Sequence, residues 1–143
     1  MSDDSLNVEL LMKAIENENN DKLLKLNKNK IMKLKNDILQ KLQQPNSKLK
    51  KFHNQLKDYI YIDNISDINY GSYIRWINLN KPNYIKLTNG AFICDIKVKE
   101  DSINILCKTR MNIFFELKLN ENLIFQKLNN EEKILLSVMN YIS

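Results

Sequence analysis

The chain combines 143 residues with a net charge of +5 and a hydrophobic fraction of 43%, which suffices for one folded domain with an extension and a sizeable core. Two cysteines are too few for a disulfide framework, and two glycines cannot form a glycine-rich phosphate loop. The N-terminus lacks the pattern of a secretory signal, and no segment approaches the ~18 apolar residues of a membrane span. We therefore expect an intracellular protein that is not secreted and has no transmembrane segment.

Apolar residues at helical spacing predict helix over residues 3–44. Part of this segment repeats every seven residues, as in the heptads of a coiled coil. A polar residue, Asn27, stands at one core position, where it can set the register or the oligomeric state. We predict that this arm pairs with itself or with another protein, and that no membrane takes part. The predicted seam comprises Leu24, Asn27, Ile31, Leu34 and Ile38.

Pro45 is predicted to end the first helix, because proline lacks the backbone N–H and disfavours helix at the preceding residue. Asn46 or Ser47 can cap a second helix. The apolar residues of that helix recur at spacings of three and four from residue 48 to about residue 59. Residues 61–70 are interpreted as a connection to the C-terminal half, with room for a short strand.

Positive charge is concentrated in residues 22–57, which contain eleven lysines and a single acidic residue, Asp37. Residues 1–21 are acidic and are a candidate for head-to-tail pairing with this basic segment. Lysine-rich helices are commonly solvated faces, but they also attract phosphates, so DNA or RNA is the alternative partner. The residues predicted to contact nucleic acid are Lys22, Lys25, Lys33, Lys35, Lys48, Lys50, Lys51, Tyr73 and Arg75.

Period-two alternation predicts six short antiparallel strands in the C-terminal half. Between the second and the third of them, Asn89-Gly90 predicts a two-residue type I′ hairpin. Six strands joined by tight turns indicate a small barrel or a meander sheet. The predicted strands are residues 72–79, 84–88, 91–98, 103–108, 113–119 and 123–125.

Asn129 and Glu132 have the spacing of a capping box and predict a final helix over residues 130–142. Together these elements indicate an α+β fold with a lysine-rich helical arm over residues 1–60 and a small antiparallel β-barrel-like module with a C-terminal helix over residues 61–143. The change from helical to period-two hydrophobic spacing marks the boundary between the two parts.

Alternation within the first predicted strand places its side chains on two faces. Trp76, together with Phe92 from the third strand, is interpreted as core. Tyr73 and Arg75 share the opposite face, where an aromatic ring beside a cation can stack nucleotide bases.

Catalytic chemistry has little support in the residue types. The single histidine, His53, has no cysteine or second histidine near it in the sequence for a metal site. Asp95 and Glu116 are predicted on one face of the sheet, where two solvated carboxylates are the simpler interpretation. We therefore predict no catalytic residues, no metal, no cofactor and no small-molecule substrate.

A resemblance is carried by four short segments: residues 71–77 (GSYIRWI), 87–92 (LTNGAF), 107–108 (CK) and 124–128 (IFQKL). They resemble a pattern in small, uncharacterised β modules of nucleocytoplasmic large DNA viruses, in which a G-x-Y-I-R-[YW] strand is followed by a G-G-F hairpin and a short meander. Ala91 replaces the second glycine of that hairpin. The resemblance implies a virus-encoded small barrel in the cytoplasm or nucleus of a host cell or in the virion interior, and it implies no particular reaction.

These observations predict a non-enzymatic structural, scaffolding or protein-interaction module that oligomerises or pairs through its helical arm. The alternative is a nucleic-acid-binding accessory protein that uses the basic helices of residues 22–57.

Overall fold

The computed structural model describes residues 8, 9, 12, 13 and 16, which are helical, and the continuous segment 28–142. These residues form an α+β fold of three bounded helices and one six-stranded antiparallel sheet. No helix among them is long and apolar enough to cross a bilayer. The helices are α1 (Lys28–Gln40), α2 (Asn46–Gln55) and α3 (Asn130–Ile142). The strands are β1 (Tyr59–Ile62), β2 (Tyr73–Asn78), β3 (Ala91–Val98), β4 (Ile103–Lys108), β5 (Phe114–Lys118) and β6 (Asn122–Lys127).

The strands lie in the order β1-β6-β2-β3-β4-β5, and every neighbouring pair is antiparallel. The predicted strand number and direction are therefore confirmed. Because β6 lies between β1 and β2, the sheet is not a meander of consecutive strands. β1 and β5 are the two edges of the described sheet, so of the two predicted forms, a barrel or a sheet, the structure has an open sheet. β6 has four consecutive buried residues, as a strand covered on both faces requires.

Residues 84–88, predicted as a strand, are not a strand of the sheet. Leu87 faces Ile77 in an isolated β-bridge, and Ala91 faces Ile74 farther along β2. Between these two pairs the β3 side holds one residue more than the β2 side, as in a β-bulge. The segment therefore runs along β2 as a bulged approach to β3.

The Asn89-Gly90 dipeptide lies in this bulge and does not reverse the chain, so the predicted type I′ hairpin is wrong. Gly90 has φ +114°, a conformation that favours glycine. Gly90 thus has the positive φ that a turn dipeptide favours, but pairing of this segment with β2 prevents the hairpin that Asn89-Gly90 would form on its own.

A second bulge interrupts β3 itself. Ile93 faces Cys107 whereas Asp95 faces Leu106, so Cys94 is the extra residue. The bulge shifts the alternation by one residue, so Ile93 before it and Ile96 after it lie on the same, apolar face. Strict alternation predicts Cys94 on the apolar face, but in the structure Ile93 lies there instead.

One face of the sheet is continuously apolar, and all six strands contribute to it. Trp76 packs against this face with its ring centroid 5.3 Å from that of Phe115, which confirms its assignment to the core. Each fully buried isoleucine contributes roughly 1.5–3 kcal/mol of transfer free energy to folding. The buried members of the cluster are Ile62, Ile68, Ile74, Ala91, Ile93, Ile105, Cys107, Leu117 and Ile124.

Pro45 separates the first two bounded helices, as predicted. It occupies the N-cap position of α2 with φ −55° and ψ 148°, and its carbonyl accepts the N–H of Lys48 at 3.0 Å. Neither Asn46 nor Ser47 is the cap, because α2 begins at Asn46. The helix ends at Gln55, a few residues earlier than predicted, and the chain then enters β1.

Burial on α1 departs from the predicted seam. Ile31, Lys35 and Leu39 are the buried positions, spaced by four residues. Leu34 is 52% exposed and Ile38 is half-buried. Two further positions of the seam, Leu24 and Asn27, lie outside the described residues. Pairing of the arm with a partner stays a prediction.

The predicted capping box of α3 is present. The N–H of Glu132 donates to Asn129 Oδ1 at 2.8 Å, and the N–H of Asn129 donates to Glu132 Oε1 at 3.0 Å. Burial raises the pKa of Glu132, and the hydrogen bond from the Asn129 backbone opposes that shift.

The chain divides into two compact units, Met1–Leu39 with Leu128–Ser143, and Gln40–Lys127. The first unit contains α1 and α3, and the second contains α2 and the sheet. The sequence-based boundary near residue 60 groups the helices differently and stays a prediction.

Candidate functional site

A row of four side chains crosses the face of the sheet opposite the apolar core. Tyr73 on β2 faces Phe92 on β3, Phe92 faces Lys108 on β4, and Lys108 faces Phe114 on β5. Directly opposed residues of antiparallel strands project to the same face with Cβ atoms about 5 Å apart. These four residues are called the basic-aromatic row. Phe114 is 59% exposed, and the other three are half-buried.

Tyr73 is fixed by three contacts. Its hydroxyl donates to the carbonyl of Asn89 at 2.7 Å, and its ring meets that of Phe92 edge to face at 5.0 Å between centroids. A Cβ on Gly90 would lie 2.5 Å from the Tyr73 ring and 2.7 Å from the Ile74 carbonyl oxygen. The close approach of Gly90 therefore lets the tyrosine lie flat along the bulge.

Arg110 places a guanidinium 5.2 Å from the centroid of the Tyr73 ring, within range of a cation–π interaction. It belongs to the five-residue loop, residues 109–113, that joins β4 to β5. That loop is closed by the Thr109 N–H, which donates to the Ile113 carbonyl at 2.9 Å, and by Asn112 with φ 62°. The Thr109 hydroxyl accepts the N–H of Ile113 at 3.1 Å, so the loop holds Arg110 close to the row.

Arg75 is the second guanidinium on this face. Its Nε donates to the carbonyl of Thr88 at 2.7 Å, and it lies directly opposite Phe125 of β6. Burial raises the pKa of Tyr59, and the positive charges of Arg75 and Arg110 oppose that shift. Both arginines therefore lie within electrostatic reach of Tyr59.

Acidic side chains of this face lie beyond the row and already have partners. Glu116 forms an ion pair with Lys97 at 2.9 Å and a longer one with Lys99 at 3.9 Å. Asp95 accepts the N–H of Ile96 at 2.8 Å. Leu106 of β4 stands between Asp95 and Glu116 in register, so the two carboxylates lie on either side of a strand and are not direct neighbours.

The lysines predicted to bind nucleic acid are distributed over the two units. On α2, Lys48 donates to Gln44 Oε1 at 3.1 Å, and Lys50 and Lys51 are exposed. On α1, Lys33 is exposed. Lys35 is only 5% exposed, so its ammonium is not available to a ligand on the surface. The remaining two, Lys22 and Lys25, lie outside the described residues.

An open concavity of about 550 Å³ lies at the other end of the sheet, between β1, the β3–β4 turn and the start of β6. Its charged lining residues are Asp63, Lys99, Glu100 and Asp101. Within the described part of the chain, no three or more His, Cys, Asp and Glu side chains are grouped so that they could hold a metal ion.

Comparisons of the chain with protein-family models, with curated proteins and with solved structures give no match. The site is therefore described by its own geometry. Tyr73 and Arg75 were found from the sequence, whereas Phe92 was assigned to the core, and Lys108, Arg110 and Phe114 were missed. Alternation already separates Lys108 and Phe114 from the apolar residues of β4 and β5, but only the strand register shows that they are neighbours.

Proposed function

We propose that the protein is a non-enzymatic binding module that takes up single-stranded nucleic acid on the basic-aromatic row. The observation that carries this proposal is a row of three aromatic side chains and one lysine across four strands, with Arg110 beside it. Aromatic rings stack on bases, contributing about 1–3 kcal/mol for each base, and cations neutralise phosphates.

A single strand fits this face better than a duplex. Phe92 and Phe114 stand two strands apart on the same face of the sheet, with Lys108 between them in register. Unpaired bases can turn their faces towards such rings, whereas the bases of a duplex are already stacked on one another. We therefore expect weaker binding to a duplex of the same length.

The first test measures fluorescence anisotropy of a labelled single-stranded oligonucleotide of about 12 nucleotides, which spans a typical site, over a range of salt concentrations. If Arg75, Lys108 and Arg110 each neutralise one phosphate, the logarithm of the binding constant should fall with the logarithm of salt concentration with a slope of about −2. Absence of binding to both DNA and RNA at low salt would exclude the proposal.

The second test uses substitutions at exposed or half-exposed members of the row. Phe114→Ala should weaken binding by roughly 5- to 150-fold, the equivalent of one stacked base. Lys108→Gln should weaken binding and make the salt slope shallower by about 0.7. Lys81→Gln removes an exposed lysine at the far end of β2 and serves as the charge-matched control. Equal losses in Lys108→Gln and Lys81→Gln, with no loss in Phe114→Ala, would show that binding depends on net charge and not on the row.

The second candidate function is protein pairing through the helical arm, and exposed apolar side chains on α1 favour it. Met32 is 55% exposed and Leu34 is 52% exposed. Leu34→Asp should dissociate an arm-mediated assembly in sedimentation analysis, whereas Asn36→Asp adds the same charge at another exposed position of α1 and should leave it intact. A strictly monomeric wild type at high micromolar concentration would rule this candidate out.

Virus origin and the associated location in a host cell or virion remain predictions from the sequence resemblance. Neither candidate function depends on them.

A further inference from the structure

The outer edge of β5 has backbone groups available for pairing with another strand. β5 is the last strand in the sheet order and pairs with β4 alone among the described strands. The Thr109 N–H to Ile113 carbonyl bond makes these two residues a hydrogen-bonded pair. Since hydrogen-bonded and non-hydrogen-bonded pairs alternate in antiparallel strands, Phe115 and Leu117 bond to β4. The residues between and beside them therefore direct their N–H and C=O groups outward; these are Phe114, Glu116 and Lys118.

The side chains of this edge are complementary to themselves. Glu116 and Lys118 project to the face of the basic-aromatic row, and Leu117 projects to the apolar face. When two antiparallel copies of β5 are related by a twofold axis through Leu117, Glu116 of each copy lies opposite Lys118 of the other. The two Leu117 side chains then meet and extend the apolar face across the junction.

We propose that β5 is a self-association edge, at which a second copy of this chain adds its own β5 in antiparallel orientation with Leu117 at the centre. This proposal does not rest on the nucleic-acid function. Charged residues on an edge strand normally discourage pairing, but opposite charges directly across from one another are favourable. Within one copy Glu116 pairs with Lys97 at 2.9 Å and Lys118 with Glu121 at 3.8 Å, and the cross-strand pairs would compete with these solvated contacts. The alternating signs at this edge therefore favour one partner strand and one register.

A register in which the twofold axis is moved by one residue, so that the strands shift by two, is disfavoured by the same side chains. With Glu116 at the centre, the two Glu116 carboxylates would oppose each other, and like charges directly opposite are destabilising. In the proposed register the Lys118 carbonyl takes part in hydrogen bonding although it already accepts Asn122 Nδ2 at 2.9 Å. A carbonyl oxygen has two lone pairs and can accept both bonds.

The test uses the full chain in analytical ultracentrifugation and light scattering over a range of concentrations. Lys118→Pro removes one outward N–H and keeps the hydrogen bonds between β4 and β5. The native φ of Lys118 is −87°, close to the value that proline requires. We expect a concentration-dependent dimer for the wild type and a monomer for Lys118→Pro. Lys118→Ala retains the N–H and should raise the dimer dissociation constant only by roughly 2- to 30-fold, which corresponds to the loss of two cross-strand charge pairs.

Two further variants keep the test decisive if Lys118→Pro fails to fold. Lys118→Glu should abolish the dimer because it places carboxylates opposite each other in both pairs. Glu116→Gln should weaken the dimer in the proposed register and strengthen it in the shifted one. A monomeric wild type, or a dimer that resists Lys118→Pro and Lys118→Glu, would overturn the proposal. A dimer lost only in Leu34→Asp would assign association to α1 and would overturn it as well.

Discussion

The two faces of the sheet are built from the same strands but differ in what their side chains can do. The apolar face is closed by isoleucines and Cys107 that are almost fully buried. The opposite face carries the basic-aromatic row, whose members are half-buried or exposed. In β4 adjacent residues lie on opposite faces: Cys107 is buried on the apolar face, and Lys108, the next residue, lies on the face of the row. From β3 to β5 stability and binding are therefore assigned to opposite faces, whereas β6 is buried on both, and substitutions in β3 to β5 should separate them.

The largest expected contrast concerns the two thiols. Burial raises the pKa of Cys107 to about 12, and the nearby Cys94 thiol adds to the shift. Near pH 8 this lowers the thiolate fraction about 10³-fold relative to a thiol of ordinary pKa. We expect one fast equivalent, from half-buried Cys94, with a thiol-reactive chromophore under native conditions. The second equivalent should react only after denaturation. Fast reaction of the Cys94→Ser variant would contradict the closed apolar face.

The next contrast compares two isoleucines. Ile105 is fully buried on the apolar face, whereas Ile113 is 59% exposed in the β4–β5 loop. Ile105→Ala should reduce the free energy of unfolding by about 2–5 kcal/mol, because it removes buried methyl groups and leaves a cavity. Ile113→Ala should change it by less than about 0.5 kcal/mol. Urea unfolding followed by circular dichroism measures both, and equal effects would mean that the exposed loop is also part of the core.

A third contrast separates backbone strain from the contact that orients Tyr73. Gly71 and Gly90 have φ of +83° and +114°, so alanine at either position is strained by about 1–3 kcal/mol. A Cβ on Gly71 meets no atom within 4 Å, whereas a Cβ on Gly90 collides with Tyr73 and with the Ile74 backbone. Gly90→Ala should therefore destabilise the protein more than Gly71→Ala in thermal unfolding. Equal losses of stability would show that the bulge relaxes around the added methyl group.

The smallest effect is expected from the ion pair of the polar face. A hydrogen bond from Lys97, followed by one from Asn104, holds the pKa of Glu116 below its usual range. A lowered pKa in the folded state contributes stability above the unfolded pKa, and this contribution is lost as the pH falls through the folded value. Both side chains are solvated, so the contribution is small. Wild type and Glu116→Gln should thus differ slightly at pH 7 and converge as the pH falls through the lowered folded pKa of Glu116. A difference that does not shrink on acidification would have to come from packing.

Several elements could be predicted from local sequence, and their failures share one physical cause. The alternation in β4 and β5 and the Asn129–Glu132 capping box depend on residues a few positions apart, and the structure contains all of them. The site was predicted only at Tyr73 and Arg75, which share one strand. Its other members are brought together by strand register and by the Cys94 bulge. The bulge shifts the register by one residue, and the alternation of apolar and polar residues in the sequence does not reveal such a shift.

The position of β6 between β1 and β2 also could not be predicted from neighbouring residues in the sequence. Arg75 faces Phe125, and β1 faces the same strand from its other side. Long-range pairing of this kind is selected by the burial of a strand on both faces and not by the turns that flank it. The same holds for Asn89-Gly90, where a strong local turn preference is overridden by the backbone of β2.

The place of β6 has a consequence for the order of events during synthesis. Among the described strands, residues near position 60 pair only with residues near position 125. At typical translation rates of 5–20 residues per second, β1 waits roughly 3–12 s before that partner has been made. During this interval the hairpins from β2 to β5 can form, while β1 and one side of β2 remain without their neighbour. The strand made last is thus the one that joins the earliest part of the sheet to the rest.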